Sequence, residues 1–246
     1  MKTALITGAN KSIGFEAARQ LLKAGFFVYL GSRSLENGQQ AAEQLKAEGL
    51  TQVKAVRLDV TDQNSVTEAR TEIGKEIESL DVLINNAGIS GIAPQGALDS
   101  EIENFKNVFD TNVYGVVRVT QAFVDLLRKS TEPRIVMVSS SVGSLSLQSN
   151  PEWAFYDHAK FTVYSSSKSA LNMYTLTLAY ELRNTPFKVN AIDPGYTKTD
   201  FNNNQGYGTV EDAAARVVKY ALVDNDGPTG KYFSEETNPE TGEIPW

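Results

Sequence analysis

Six short runs rich in β-branched and aromatic residues recur along the chain, each separated from the next by a longer stretch. They are TALIT from Thr3, FFVYL from Phe26, VKAVRL from Val53, DVLIN from Asp81, RIVMV from Arg134 and FKVNAI from Phe187. Alternation of this kind indicates parallel strands joined by crossover helices. Several runs are apolar at successive positions, as strands covered by helices on both faces must be. Between them, Val113, Val116, Val117, Val124 and Leu127 recur at helical spacing, as do Leu171, Tyr174, Leu178 and Leu182, which predicts two core-packed helices. Ser100 with Glu103, and Thr209 with Asp212, read as side-chain caps that start helices, and Pro186 stops a helix ahead of FKVNAI. The units follow one another without a repeat, low-complexity segment or linker. The expected architecture is therefore one α/β domain over residues 1–246, a doubly wound, Rossmann-type parallel sheet with helices on both faces. The stretch from about residue 225 to 246 is rich in turn residues and acids around a short apolar run, Lys231 to Phe233, which is expected to add a last strand.

Composition narrows the chemistry. A formal net charge of −7 opposes the basic surface that nucleic acid or an anionic membrane attracts. No cysteine is present, so disulfides, thiolate nucleophiles and cysteine-ligated zinc are excluded, and the single histidine, His158, rules out a histidine-rich metal site. No apolar run approaches the roughly 20 residues that span a bilayer. Together with the apolar run that begins at Thr3, without a hydrophobic signal region or an Arg-rich leader ahead of it, this reads as a cytoplasmic chain.

The first run leads into TGANKSIG, Thr7 to Gly14, and then into a helical stretch through Ala24. A strand, a glycine turn and a helix N-terminus together let backbone N–H groups and the helix dipole face a pyrophosphate. Gly8 makes the tight turn and Gly14 lets helix and strand pack closely. Further on, YSSSK places Tyr164 and Lys168 four residues apart, on one face of a helix. An ammonium beside a phenol favours the phenolate, so the Tyr164 pKa is expected below its ordinary value near 10.

These motifs, in this order, resemble the short-chain dehydrogenase/reductase family, and TGANKSIG is similar to the TGxxxGxG fingerprint of its NADPH-dependent carbonyl reductases. The departure is Ser12, where the family usually has its middle glycine. The side chain there is expected to force either a negative φ or a shifted loop. LDV, Leu58 to Val60, resembles the family segment beside the adenine, and NNAG, Asn85 to Gly88, the one that supports the sheet and borders the cofactor. DPGYTKTD, Asp193 to Asp200, resembles the turn that holds the nicotinamide amide. The resemblance thus implies cofactor contacts from Gly8, Asn10, Lys11, Ser12, Ile13, Gly14, Asp59, Val60, Asn86, Ala87, Gly88, Pro194, Gly195 and Thr197, besides Tyr164 and Lys168. It implies no metal.

By the same resemblance Asn112, Ser140, Tyr164 and Lys168 form the catalytic set: Asn112 in a water-mediated proton path to the lysine, Ser140 bonding the substrate oxygen, Tyr164 as acid/base, and Lys168 tuning Tyr164 and holding the nicotinamide ribose. Ser139 and Ser141 are chemically equal to Ser140, but alternation along the strand end puts them on the opposite face. The implied reaction is hydride transfer between the nicotinamide and a ketone, aldehyde or secondary alcohol. Cofactor choice follows from the end of the second run. FFVYL is followed by GSR, so Ser32 stands where NAD enzymes carry an acid for the ribose, with Arg33 directly after it. Lys11 matches a basic residue that NADPH-preferring members use on the same 2′-phosphate, so NADPH is expected over NADH.

The interval from Ser140 to Tyr164 is longer than the dozen or so residues usual in the family and includes Leu147, Pro151, Trp153, Phe155 and Tyr156. It is expected to wall an apolar substrate pocket or to cover a subunit-contact surface, which favours a monomer or small homo-oligomer. FNNNQGYGT after Asp200 lies in a substrate loop at about residues 196–209 and is expected to be mobile over an open pocket. His158 is expected on the surface. Two other classes share the fold: a nucleotide-sensing module, which has no need of Asn112, Ser140, Tyr164 and Lys168 together, and a sugar-nucleotide epimerase or dehydratase, which usually carries a larger C-terminal substrate region.

Overall fold

The computed structural model describes residues 1–246. Its strands are β1 (Thr3–Ile6), β2 (Phe27–Ser32), β3 (Val53–Arg57), β4 (Val82–Asn85), β5 (Arg134–Val138), β6 (Lys188–Ile192) and β7 (Lys231–Phe233). Every pairing is parallel, in the order β3-β2-β1-β4-β5-β6-β7. The helices are α1 (Ser12–Lys23), α2 (Leu35–Ala47), α3 (Gln63–Gly74), α4 (Ile102–Phe109), α5 (Gly115–Leu127), the short α6 (Leu145–Gln148), α7 (Thr162–Glu181) and α8 (Val210–Ala221). All six apolar runs are strands, and the short run in the C-terminal stretch is the seventh.

Each strand feeds both faces of the sheet, because successive side chains point to opposite sides. Ala4, Ile6, Val28, Leu30, Val82, Ile84, Val136 and Val138 form one core layer with Ala17, Leu21, Leu45 and Val217 from α1, α2 and α8. Their neighbours Leu5, Tyr29, Leu83, Ile135 and Met137 form the other with Ile73, Phe123 and Leu171 from α3, α5 and α7. The sheet is therefore apolar on both sides, which is why its strands read as continuous apolar runs.

Two local expectations are corrected. On α5 the core face is carried by Val116, Val119, Phe123, Leu126 and Leu127, whereas Val113, Val117 and Val124 are only partly buried. A π-helical turn, Asp110–Tyr114, joins α4 to α5 and sets Val113 outside the regular helix that carries the core face. Ser100 does not cap α4. Its hydroxyl donates to the Gly96 carbonyl at 2.7 Å within a turn of its own, and α4 starts at Ile102 with no side-chain cap. Thr209 does cap α8, accepting from the Asp212 N–H at 3.1 Å.

The lengthened segment ahead of α7 packs Leu147, Trp153 and Ala159 against Ala191, Tyr232 and Ile244 as a satellite core at the β6–β7 edge of the sheet. Trp153 is buried among β6, β7 and the residues after β7. No helix is long and apolar enough to cross a membrane.

Strand order reverses direction between β1 and β4, since the chain passes outward from β1 to β2 and β3 before returning to β4 on the other side. In an open α/β sheet this switch point opens a crevice at the carboxyl ends of the strands. TGANKSIG follows β1 and NNAG runs out of β4, so both motifs border that crevice.

Candidate active site

The two motifs at the crevice are fastened to each other. Thr7 Oγ1 accepts from the N–H groups of Asn86 and Ala87, both at 3.0 Å, and Asn86 Nδ2 donates to the carbonyls of Thr7 at 2.9 Å and Gly8 at 3.1 Å. Gly8 has φ +63°, and a Cβ on it would stand 3.0 Å from Ala87 Cα. A Cβ on Gly14 would lie 2.5 Å from Asn86 Nδ2 and 2.7 Å from the Gly8 carbonyl. Both glycines are thus required by close approach. Ser12 has the left-handed conformation, with φ +52°, so the negative φ that was one expected accommodation of its side chain is not adopted: the backbone there is glycine-like and the serine carries the strain.

At the start of α1, Lys11 is the cap residue, and no side chain, its own included, caps the helix. The first intrahelical bond runs from Phe15 N–H to the Lys11 carbonyl. The first-turn amides around Ser12, Ile13 and Gly14 are left without a side-chain cap, and no acid sits in that turn. A pyrophosphate fits this end of the helix. Asn10 is half-buried in the turn, and Ile13 packs on the core layer beneath.

The other expected cofactor contacts fall around the same crevice with different degrees of freedom. At the end of β2, Ser32 is buried against Gly38 of α2, while Arg33 is exposed and has no carboxylate partner. Asp59 Oδ1 accepts from the Thr61 N–H at 3.0 Å and hydroxyl at 2.8 Å, and the Val60 carbonyl accepts from Arg118 at 3.2 Å. In the turn after β6, Gly195 has φ +85° and donates its N–H to Asp193 Oδ1 at 3.1 Å. The Pro194 carbonyl accepts from Arg216 at 2.7 Å, and Thr197, buried, donates its hydroxyl to the Gly195 carbonyl at 3.1 Å.

Asn112, Ser140, Tyr164 and Lys168 converge beside Gly88. A Cβ on Gly88 would lie 3.3 Å from Asn112 Oδ1 and 3.7 Å from Lys168 Nζ. Lys168 is buried, stands 5.6 Å from the Tyr164 ring centroid and donates to the Val138 carbonyl at 2.8 Å. Gly143 makes this possible: its missing Cβ would sit 2.8 Å from Lys168 Cβ, so the turn after β5 rests directly on α7. Asn112, in the π-helical turn, does not reach Lys168 with its side chain. Its amide instead brackets Ile89, accepting from its N–H and donating to its carbonyl, both at 2.9 Å, and donates to Ser167 Oγ at 3.0 Å.

Of the three serines after β5, Ser139 is buried and donates to Asn172 Oδ1 at 2.7 Å, and Ser141 is buried beside Asp193. Ser140 is the one beside the Tyr164 phenol. The fully buried Tyr232 hydroxyl of β7 donates to the Ser140 carbonyl and so fixes the serine's backbone.

The electrostatics correct one expectation. Burial pushes the Tyr164 phenol above its ordinary range, and the Asp193 carboxylate adds to that, with only the Ser140 hydroxyl working the other way. Lys168 does not lower it. Burial instead pulls the Lys168 ammonium down to about 8, against the opposing pull of Asp193. Asp193 is itself raised, by its own burial, although Ser234 Oγ donates to it at 2.7 Å.

The segment expected to be the substrate loop lies against the site. Its base is tied by the Lys198 N–H to the Gly208 carbonyl at 3.0 Å and by Asn202 Nδ2 to the Thr197 carbonyl at 2.9 Å. Its tip carries two contacts: Lys11 Nζ meets Asp200 Oδ2 at 3.0 Å, and the Phe201 ring lies 5.5 Å from the Tyr164 ring at 60°. Phe201, Asp193 and Tyr232 stand beside Ser140 and Tyr164, and none of the three was assigned to the site from the sequence, since each comes from a distant part of the chain. His158 is exposed, as expected.

Comparison with known proteins agrees with this geometry. The family model described as short chain dehydrogenase matches residues 2–208. The (+)-neomenthol dehydrogenase of Capsicum annuum is 34% identical, with 94% of this chain and 94% of the relative covered. That alignment runs over 299 positions, more than the 246 residues of this chain, so the relative carries inserted residues. Among solved structures, salutaridine reductase from Papaver somniferum superposes with a TM-score of 0.84 at 29% identity, covering 95% of this chain and 100% of that one. ElxO with NADP bound superposes with a TM-score of 0.79 at 27% identity, covering 94% and 95%.

Proposed function

The chain belongs to the short-chain dehydrogenase/reductase family, and from that premise we propose that it is a cytoplasmic NADPH-dependent carbonyl reductase, working on small ketones or aldehydes as a monomer or small homo-oligomer. The observation that carries the reading is the convergence of Ser140, Tyr164 and Lys168 at the crevice that also receives the uncapped start of α1. The bound dinucleotide supplies the hydride. The first-turn amides of α1 take the pyrophosphate, Arg33 and Lys11 the 2′-phosphate, and the turn from Pro194 to Thr197 the nicotinamide amide.

Tyr164 donates a proton to the substrate oxygen. A phenol is protonated at neutral pH, the state a proton donor for ketone reduction needs. Ser140 and Tyr164 together face the oxygen on which negative charge develops, which stabilises the transition state more than the neutral carbonyl. Lys168 commits one of its three donors to the Val138 carbonyl, leaving two for the nicotinamide ribose and for the proton path that refills Tyr164. Asn112 contributes by holding Ile89 and Ser167, and hence the walls on either side of Lys168.

The test is a panel of aldehydes, ketones and secondary alcohols assayed with NADPH and NADH. Carbonyl reduction is expected, and Tyr164→Phe is expected to lower it by about 10²- to 10⁴-fold while NADPH still binds. Near-normal turnover by the Tyr164→Phe enzyme refutes the assignment.

A further inference from the structure

We propose that Gln95 is a positioning residue for Tyr164, acting by capping the helix that carries the phenol. This role deepens the reductase reading and rests on it only for the turnover arm of its test.

The start of α7 has an unmet need. The cap position is Phe161, which has no side-chain acceptor, and the first intrahelical bond is from Ser165 N–H to the Phe161 carbonyl at 2.7 Å. The amides of Thr162, Val163 and Tyr164 therefore have no intrahelical partner. Gln95 supplies two from outside. Its backbone carbonyl accepts from Thr162 N–H at 2.9 Å, and its side-chain Oε1 accepts from Tyr164 N–H at 3.1 Å. This is the service a Ser, Thr, Asp or Asn cap usually performs from within the helix, delivered here from 69 residues away.

The bond ends on the backbone of Tyr164 itself. The other polar group of that backbone is held too, since Ser167 Oγ donates to the Tyr164 carbonyl at 2.7 Å while accepting from Asn112 Nδ2 at 3.0 Å. On its far side Gln95 Nε2 donates to the Ser90 carbonyl at 2.8 Å, next to Ile89, which Asn112 brackets. Gln95, Tyr164, Ser167, Asn112 and the Ile89–Ser90 backbone close a ring of hydrogen bonds, all side chain to backbone except the one between Asn112 and Ser167. The ring couples the segment after NNAG to the root of the phenol. Misplacing a reacting group by about 1 Å can cost on the order of 100-fold in rate, so holding the Tyr164 backbone in place protects turnover.

Two near-isosteric variants separate capping from packing. Gln95→Met keeps the length and removes both acceptor and donor, whereas Gln95→Glu keeps an acceptor for the Tyr164 N–H and loses only the bond to Ser90. Met is expected to lower kcat by about tenfold or more, with the Kd for NADPH within about twofold of wild type, and Glu to retain kcat within about threefold. Amide exchange at Tyr164 is expected to speed up by about tenfold in Met and to stay protected in Glu, with Thr162, which the residue 95 backbone carbonyl holds, and the rest of α7 unchanged in both. A Met variant with wild-type kcat and protection overturns the proposal, and so does equal loss in Met and Glu, which is what a merely structural tether gives. Should the wild type reduce no carbonyl, the reductase reading fails and the exchange experiment alone decides the cap.

Discussion

Arg33→Ala is expected to remove most of the preference for NADPH, and the structure allows the size of the effect to be set against that of Lys11→Ala. Arg33 stands exposed at the end of β2 with no carboxylate partner, so its whole charge is available to a 2′-phosphate. A hydrogen bond to a charged group contributes about 1.5–3 kcal/mol, which corresponds to roughly 10- to 150-fold. Lys11 is different. It is paired with Asp200 at 3.0 Å, and both side chains are more than half exposed, at 62% and 64%. An exposed pair of this kind contributes about 0.2–1 kcal/mol, and turning to a phosphate forfeits it, which leaves Lys11 about 0.5–2.8 kcal/mol, or roughly 2- to 110-fold, lower than Arg33 for the same phosphate bond. The expected order is therefore Arg33 ahead of Lys11. Wild type is expected to favour NADPH over NADH by at least about tenfold in kcat/KM, with NADH kinetics nearly unchanged in both variants. Asp200→Asn, which frees Lys11, is expected to improve NADPH by up to about fivefold and leave NADH alone. Steady-state kinetics with both cofactors at one fixed ionic strength decides the matter, because exposed charges are screened by salt. Equal use of NADH by the wild type, a parallel loss with both cofactors in Arg33→Ala, or a larger effect from Lys11 than from Arg33 would each refute the phosphate-clamp assignment.

Ser12→Gly is expected to be tolerated, because a non-glycine residue at φ +52° costs about 1–2 kcal/mol that glycine avoids, offset by the greater freedom of glycine in the unfolded chain. Titration with NADPH should show a Kd within about tenfold of wild type, and a larger loss would mean that the hydroxyl makes a needed phosphate bond. Lys168 has its pKa lowered from an ordinary 10.5 to about 8, so its ammonium is complete below that value and lost as pH rises through it. The kcat/KM for NADPH is thus expected to fall with a limb near 8, and Lys168→Arg, which keeps its charge, to abolish that limb; a flat wild-type profile up to about pH 10 would exclude the ammonium as the controlling group.

The strands were legible because a doubly covered parallel sheet leaves little room for polar residues within them, and each of the six runs is a strand. Helix existence was legible and helix phase less so. Val116 and Leu127 of the expected set are in the core, Val113 falls in the π-helical turn, and Val117 and Val124 flank the buried stripe that Val119 and Phe123 complete. Ser100 and Thr209 carry similar capping patterns, but only Thr209 meets its helix, since the Ser100 hydroxyl closes a local turn with Gly96. Arg134 shows the same limit from the polar side. It opens an apolar strand and is fully buried, a position that becomes intelligible only when the carbonyls of Val223 and Pro186 and the side chain of Asn225 are seen around its guanidinium.

At the site, spacing anticipated which groups meet and missed what surrounds them. An i,i+4 interval suffices to bring Lys168 alongside the Tyr164 ring, and period-two alternation suffices to separate Ser140 from its two neighbours. Neither rule contains burial or the rest of the fold. Asp193 lies 29 residues beyond Tyr164 and reaches the site from the end of β6, while Phe201 arrives from the substrate loop and Gln95 from the segment before α4. With the ammonium alone in view, the phenol pKa should fall; with the buried setting and Asp193 added, it rises, and it is the Lys168 value that falls. Burial is the larger influence on Tyr164, and the residues that create it come from distant parts of the chain, so no local spacing rule contains its sign.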